Sequence, residues 1–257
     1  MSVFKAYDIR GIWPTQIDSA LSRRIGRAFG DFIGKGPLVV GRDMRTMAPE
    51  AHAEVIEGIL DSGLDVIDIG LASTPQTYFA IGHLRAAGGM CVTASHNGKE
   101  YIGFKLCREE ARPISADNGI LQIEKMATDA AAPAPKANRG RCSRVDTLAD
   151  YAKHVARWAD LPRTIRLASD AANGMAAHTF PAVLKLLTAK VEHHGLYFEL
   201  DGTFPNHEAN PLKVSNLKDL QKHVERTRAE LGAAFDGDAD RCCFVDDRGR
   251  AIGNDVI

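Results

Sequence analysis

The sequence has no bias of charge: 32 Lys and Arg stand against 33 Asp and Glu in 257 residues, a net charge of −1. A chain that grips nucleic acid or an anionic membrane surface carries a basic footprint, and none is present, so small-molecule partners are expected. Long hydrophobic runs are also missing. No apolar stretch approaches the roughly 18 residues of a membrane span, and the opening Met1-Ser2-Val3-Phe4-Lys5-Ala6-Tyr7-Asp8 has no apolar segment of the signal-peptide kind, so a cytoplasmic protein is expected. Cysteine is sparse. Cys91, Cys107, Cys142, Cys242 and Cys243 form an odd set without a C-x-x-C pair, which argues against a disulfide framework or a zinc cluster and for reduced, structural thiols.

What is there is an alternation of strand and helix signals, which predicts α/β layers. Asp18-Ser19 can cap a helix whose Leu21, Ile25, Ala28, Phe29 and Phe32 share one face; Leu38-Val39-Val40 reads as a buried strand. Pro49 suits the first turn of a helix ending at Ser62-Gly63, Val66 to Ile69 is the next strand, and Thr74-Pro75 opens a helix to about Leu84. A further helix is predicted from about Asp117 to Met126. Residues 127–141 lose periodicity and gather Ala, Pro and Gly, as a linker would, which sets a domain boundary near 140. The alternation then resumes, with helices near 147–159 and 180–187, strands near 165–169 and 190–192, and a helix capped by Asn216 that runs to Leu231. Ala233-Ala234-Phe235 and Cys242-Cys243-Phe244-Val245 complete it as strands around a charged loop.

That loop, Asp236-Gly237-Asp238-Ala239-Asp240-Arg241, is the sharpest chemical signal in the chain. Three carboxylates at alternate positions of a tight turn can converge on one point, an arrangement that suits a hard, oxygen-seeking cation such as Mg²⁺. An EF-hand would need Gly where Arg241 stands, and helices rather than strands on either side. A second signal is Cys91-Val92-Thr93-Ala94-Ser95-His96-Asn97-Gly98: a short apolar run ends in an Asn-Gly turn, presenting Ser95 at a strand's C-terminal edge, where open sheets place their active sites. Ser95 is not framed as G-x-S-x-G, which disfavours a serine hydrolase. Tyr7-Asp8-Ile9-Arg10-Gly11 and Gly41-Arg42-Asp43-Met44-Arg45 set arginines beside glycines, on loops where a guanidinium can grip a phosphate or simply pair with the adjacent Asp. Phe204 to Pro211 reads as a rigid polar connector.

Taken together, Tyr7 to Gly11, Thr93 to Asn97, Gly103-Phe104-Lys105, Phe204 to Pro211 and Asp236 to Arg241 resemble, in order and spacing, the α-D-phosphohexomutases. The opening Phe4 to Gly11 is most similar to the bacterial phosphomannomutase (phosphomannomutase/phosphoglucomutase) branch. The resemblance covers nearly the whole chain but only the first two of the family's four domains. It implies two α/β domains, each a mixed sheet packed between helices: 1–140 with the phosphoserine loop, 141–250 with the metal loop, and 251–257 as the start of a third.

By the same resemblance Ser95 is the serine that carries phosphate, and Asp236, Asp238 and Asp240 hold Mg²⁺ with an oxygen on Ser95. Arg241 sits beside that phosphate, Tyr7 and Arg10 bind around the reacting group, and Lys105 and His96 are the candidates for acid and base. The implied reaction interconverts mannose 1-phosphate and mannose 6-phosphate through a bound 1,6-bisphosphate of glucose or mannose, with phosphoglucomutase or dual specificity as the nearest alternative. Hexose phosphates and the C-terminal domains 3 and 4 of the same enzyme are the implied partners, and the chain alone is expected to turn over negligibly. Gly98 departs from the Pro usual in relatives, which loosens the serine loop. A Mg²⁺-dependent sugar phosphatase and a noncatalytic phosphate- and metal-binding module are the alternatives of other classes.

Overall fold

The structure, a computed structural model, describes residues 2–129 and 134–253. Part of the expected linker, 130–133, and residues 254–257 of the expected third-domain segment lie outside the described residues. The chain divides into two compact units, Met1–Ala94 with Glu100–Thr147 and Ser95–Lys99 with Leu148–Ile257. Among the described residues no helix is long and apolar enough to cross a membrane.

The first unit runs β1 (Ile9–Ile12), α1 (Ser19–Ile33), β2 (Leu38–Arg42), α2 (Ala48–Asp61), β3 (Val66–Leu71), α3 (Thr74–His83), β4 (Gly88–Val92), β5 (Tyr101–Arg108), α4 (Ile120–Thr128) and β6 (Cys142–Arg144). Its six strands lie in the order β1-β5-β4-β2-β3-β6. β2 is parallel to β3 and β4, whereas β5 is antiparallel to both β4 and β1, so the sheet is mixed. Strand β2 shows why its sequence is continuously apolar. Leu38 and Val40 enter a core built with Ile25, Phe29, Val55 and Ile59 of α1 and α2, while Val39 faces the opposite core with Ala80 and Ile81 of α3. A strand covered on both faces has no position left for a polar side chain.

The structure refines several expectations. The first-turn cap of α3 is Ser73, whose hydroxyl accepts from the Gln76 N–H at 3.2 Å, so Thr74 is already helical. The predicted helix at 117–126 is a 3-10 turn at Ala116–Asn118 followed, across Gly119, by α4. Arg10 is not on a loop: it lies in β1 opposite Gly103 of β5. Nor is Arg45 a phosphate grip in this structure. It is fully buried, its backbone N–H and Nε donating to Asp43 at 3.0 and 3.1 Å and its Nη1 to the Tyr101 carbonyl at 3.1 Å. Beyond the boundary expected near 140, β6 adds in parallel to the edge of β3, and Val145 N–H donates to the Asp68 carbonyl at 3.0 Å, so the first unit continues to Thr147.

The second unit runs α5 (Leu148–Ala156), β7 (Ile165–Asp170), α6 (Ala176–Leu186), β8 (Val191–Leu196), α7 (Lys218–Thr227), β9 (Leu231–Phe235) and β10 (Cys242–Asp246). Its sheet has the order β10-β9-β7-β8, with β7 parallel to β8 and β9 and with β9-β10 an antiparallel hairpin. Ala168, Leu220, Val224, Ala234 and Val245 form its main core. The helix expected to run from Asn216 to Leu231 is shorter. Arg228 turns left-handed (φ 53°) after Thr227, and Leu231 already belongs to β9. Asn216 does not cap it; its Nδ2 donates to the Glu208 and Asn210 carbonyls at 3.1 and 3.0 Å.

Helices α1 and α2 meet backbone to backbone. A Cβ built on Gly26 would lie 2.2 Å from the Val55 carbonyl oxygen, and one on Gly58 would lie 2.0 Å from that of Arg23. The helices must separate to admit even a methyl group, so Gly58→Ala should destabilise the chain by roughly 1–3 kcal/mol, as overpacking does. Gly82 in α3 has nothing within 4 Å of its Cβ position, and there Ala should stabilise by about 0.4–1 kcal/mol through the unfolded state. Urea unfolding of both variants checks the pair; equal shifts would show that close helix approach does not govern the first unit.

Candidate active site

The acidic loop joins β9 to β10, whose register pairs Phe235 with Cys242 and so closes the turn. Backbone bonds shape it: Asp236 N–H donates to the Arg241 carbonyl at 3.2 Å and Ala239 N–H to the Asp236 carbonyl at 3.1 Å, with Ala239 at φ 60°. The Asp236 carboxylate is fully buried. Its Oδ1 accepts the backbone N–H groups of Asp240 and Arg241, each at 3.1 Å, and its Oδ2 accepts the Ser95 hydroxyl at 2.8 Å. Asp238 is buried too, Asp240 is exposed, and one carboxylate oxygen from each of the three lies within 4.8 Å of the others. Burial, then the charges of Asp238 and Asp240, push Asp236 up to about 8, although the Ser95 and Arg241 hydrogen bonds act the other way.

This donor set fits Mg²⁺. Six oxygens at 2.0–2.1 Å around that ion stand about 3 Å apart when adjacent and about 4.2 Å when opposite, which three oxygens within 4.8 Å approach without large movement. The donors are all hard oxygens, and the raised Asp236 pKa is what a site built for a cation has before the cation arrives. Arg241 Nε stands 3.9 Å from Asp240 Oδ1.

Ser95 follows β4 by three residues and is fully buried, at φ 51°. A non-glycine residue in the left-handed region is strained and is kept only where its surroundings demand it. His96 Nδ1 lies 3.4 Å from Ser95 Oγ. Ser95 and His96 group with the second unit, and the structure thus brings Ser95, His96, Asp236, Asp238, Asp240 and Arg241 together there. Tyr7, Arg10 and Lys105 belong to the first unit. Tyr7 is largely exposed, Arg10 pairs with Asp8, and Lys105 lies in β5 opposite Cys91 of β4.

The turn after β7, absent from the motifs above, also supports the acidic loop. Gly237 O accepts the Met175 N–H at 2.9 Å, and a Cβ on Gly174 would lie 2.8 Å from that same oxygen. Asn173, at φ 56°, joins this turn to the 204–211 loop by accepting from Asn206 Nδ2 at 2.8 Å. A signal for it exists in the sequence: Asn173-Gly174 follows a strand just as Asn97-Gly98 does.

Comparison with known proteins identifies the family. Residues 1–133 match the phosphoglucomutase/phosphomannomutase alpha/beta/alpha domain I, and residues 149–249 match domain II. A phosphomannomutase of Escherichia coli is 39% identical over 98% of this chain and 57% of its own length. Phosphohexose mutases of Xanthomonas campestris are 40% identical over 98% of this chain and 56% of theirs. A phosphoglucomutase/phosphomannomutase family protein of Burkholderia thailandensis superposes with a TM-score of 0.89 at 34% identity, covering 97% of this chain and 56% of that one. The chain therefore spans little more than half the length of these relatives. Its matches to both domains, over nearly all its residues, show that it belongs to the phosphoglucomutase/phosphomannomutase family and carries the family's first two α/β domains.

Proposed function

We propose that this chain supplies the phosphoryl-transfer half of a phosphohexomutase that interconverts mannose 1-phosphate and mannose 6-phosphate. The observation that carries the reading is the 2.8 Å hydrogen bond from Ser95 Oγ to Asp236 in a cluster of three carboxylates. A serine oxygen beside a Mg²⁺ site is where a phosphoserine would be held. The choice of mannose is supported by the phosphomannomutases among relatives 35–39% identical to this chain.

In the proposed cycle a substrate hydroxyl attacks the phosphorus of phospho-Ser95. The P–Oγ bond breaks, the hydroxyl proton passes to a base, and a hexose 1,6-bisphosphate forms; its other phosphoryl group then returns to Ser95 Oγ. Asp236, Asp238 and Asp240 would hold a Mg²⁺ that neutralises phosphate charge during both transfers. Arg241, at the end of the same loop, adds a fixed positive charge next to that site. Lys105 and His96 are assigned to proton transfer and Tyr7 and Arg10 to the phosphate, with transfer resting mainly on positioning and electrostatics. A Mg²⁺-dependent phosphatase would ordinarily place its nucleophilic Asp in the metal loop; here a serine hydroxyl lies 2.8 Å from that loop's Asp236, which supports a serine as the group that carries phosphate.

Incubation with mannose 1,6-bisphosphate should place a stable phosphate on the peptide containing Ser95, located by mass spectrometry. Labelling that survives Ser95→Ala would sink the assignment. Joined to the remaining domains of the Escherichia coli relative, the chain should convert mannose 1-phosphate in a coupled assay, and faster conversion of glucose 1-phosphate would move the proposal to phosphoglucomutase.

Asp238→Asn should weaken Mg²⁺ binding by on the order of 10-fold or more without unfolding the chain, since loss of even an outer-shell partner costs 10–100-fold; calorimetric titration measures it. The pH dependence has a fixed sign. Asp236 is raised from 3.8 to about 8 in the folded, metal-free chain, so its contribution to stability is fully present below its unfolded pKa and is lost as pH rises through 8. Mg²⁺ should counter that loss. The gap in melting temperature between Mg²⁺ and EDTA samples is expected to widen from pH 6 to pH 9, and to widen less in Asp236→Asn; a constant gap would remove the carboxylate cluster as its cause.

A further inference from the structure

His207 lies in the loop between β8 and α7, outside every role given above. Its Nε2 is 2.9 Å from Asp170 Oδ2 and its Nδ1 is 2.8 Å from the Glu208 carbonyl oxygen. Both neighbours offer oxygen acceptors, so the geometry suits a ring that carries hydrogen on both nitrogens. Asp170 is almost completely buried, at the end of β7, and its Oδ1 accepts the Ala172 N–H at 2.8 Å. An isolated buried carboxyl group is costly, and the His207 ring is its side-chain partner.

The groups around the ring agree with this. Tyr197 packs edge-on against it, with centroids 5.4 Å apart, and donates its hydroxyl to Asp219 on α7 at 2.9 Å. Glu208 turns its own carboxylate to Lys213. Burial lowers the His207 pKa, but the hydrogen bond and charge of Asp170, with smaller contributions from Glu208 and Asp219, carry it above the usual value. His223, the other histidine near Asp170, is instead pushed down by burial and Arg226.

What this bridge fixes is the 204–211 loop, and the loop touches the acidic turn. Asn206 donates to Asn173, and Asn216 holds the Glu208 and Asn210 carbonyls. Ala209 is buried, its Cβ 3.6 Å from where a Cβ on Gly237 would stand, between Asp236 and Asp238. On its other side Gly237 is held by the Met175 N–H. We propose that His207 is a positioning residue for the acidic loop, bridging Asp170 to the Glu208 carbonyl and so pressing Ala209 against Gly237 in the register where the three carboxylates converge. The inference rests on the reading of that loop as a Mg²⁺ site.

The test uses the whole 257-residue chain. Imidazole ¹⁵N spectra at pH 6 should show both His207 nitrogens protonated. His207→Ala should speed exchange of the Met175 amide in metal-free protein and raise the Mg²⁺ dissociation constant by roughly 10-fold, as loss of an outer-shell partner does. His207→Gln, which keeps one donor and decides the matter if the Ala variant does not fold, should fall between. His207→Ala combined with Asp170→Asn should be no worse than the weaker-binding single variant, since the two act as one unit. A neutral His207 ring in the parent, or folded variants with unchanged Met175 exchange and Mg²⁺ affinity, would overturn the proposal and leave the metal reading standing. Faster Met175 exchange in a protein that binds no Mg²⁺ would do the reverse.

Discussion

Mutual repulsion of three carboxylates is the constraint to which the second unit is built. Two full charges 4.8 Å apart, the outer limit of the cluster, repel by about 0.9 kcal/mol in water and about 3.5 kcal/mol at an effective dielectric of 20. Burial of Asp236 and Asp238 moves the loop toward the larger figure. Neutral donors offset part of it: the Asp240 and Arg241 amides and the Ser95 hydroxyl all point at Asp236. The unsatisfied remainder is expressed as the raised pKa of Asp236, and it is what a divalent cation would remove.

Carboxylates that repel cannot hold themselves in place, so the restraint comes from backbone. The β9-β10 hairpin sets the ends of the loop, the turn after β7 fixes Gly237 through the Met175 amide, and Ala209 stands where a side chain on the same glycine would meet it. Gly237 is the point where these restraints meet. A Cβ there would lie 2.4 Å from the Ser95 carbonyl oxygen, so only glycine lets the serine backbone come near enough for Oγ to reach Asp236.

Those restraints divide what can and cannot be read from the sequence. The strand-loop-strand around Asp236 to Arg241 is legible because acids alternating between two apolar runs are costly unless a cation gathers them, and Ser95 because an Asn-Gly turn ends a buried strand. Strand β5 goes unpredicted although Ile102, Phe104 and Leu106 alternate with Gly103, Lys105 and Cys107, and β1 offers only Ile9-Arg10-Gly11-Ile12 and looks like a turn. Strand β6 has no apolar pattern at all: Cys142, Ser143 and Arg144 are exposed and join the sheet edge by parallel backbone pairing with β3. The end of α7 is hidden because Arg228 makes the left-handed break, where glycine would have marked it. The His207 bridge joins residues 37 apart in sequence through a buried Asp170, and neither residue type nor spacing announces such a pair.

Local preference and chemistry disagree most openly at Ser95. At φ 51° the backbone would be easier to build with Gly or Asn, yet neither has a hydroxyl to offer Asp236. Ala239, at φ 60° inside the acidic loop, shows the same substitution of need for propensity. Strain of about 1–3 kcal/mol at each such residue persists only where the surroundings over-determine it. For Ser95 those surroundings are full burial, the hydrogen bond to Asp236 and the contact of its carbonyl with Gly237. A serine present only to form a turn would need none of the three. Their coincidence on one residue is therefore the physical ground for proposing its oxygen, rather than those of the other buried serines, Ser22, Ser62, Ser73 and Ser169, as the atom that exchanges phosphate.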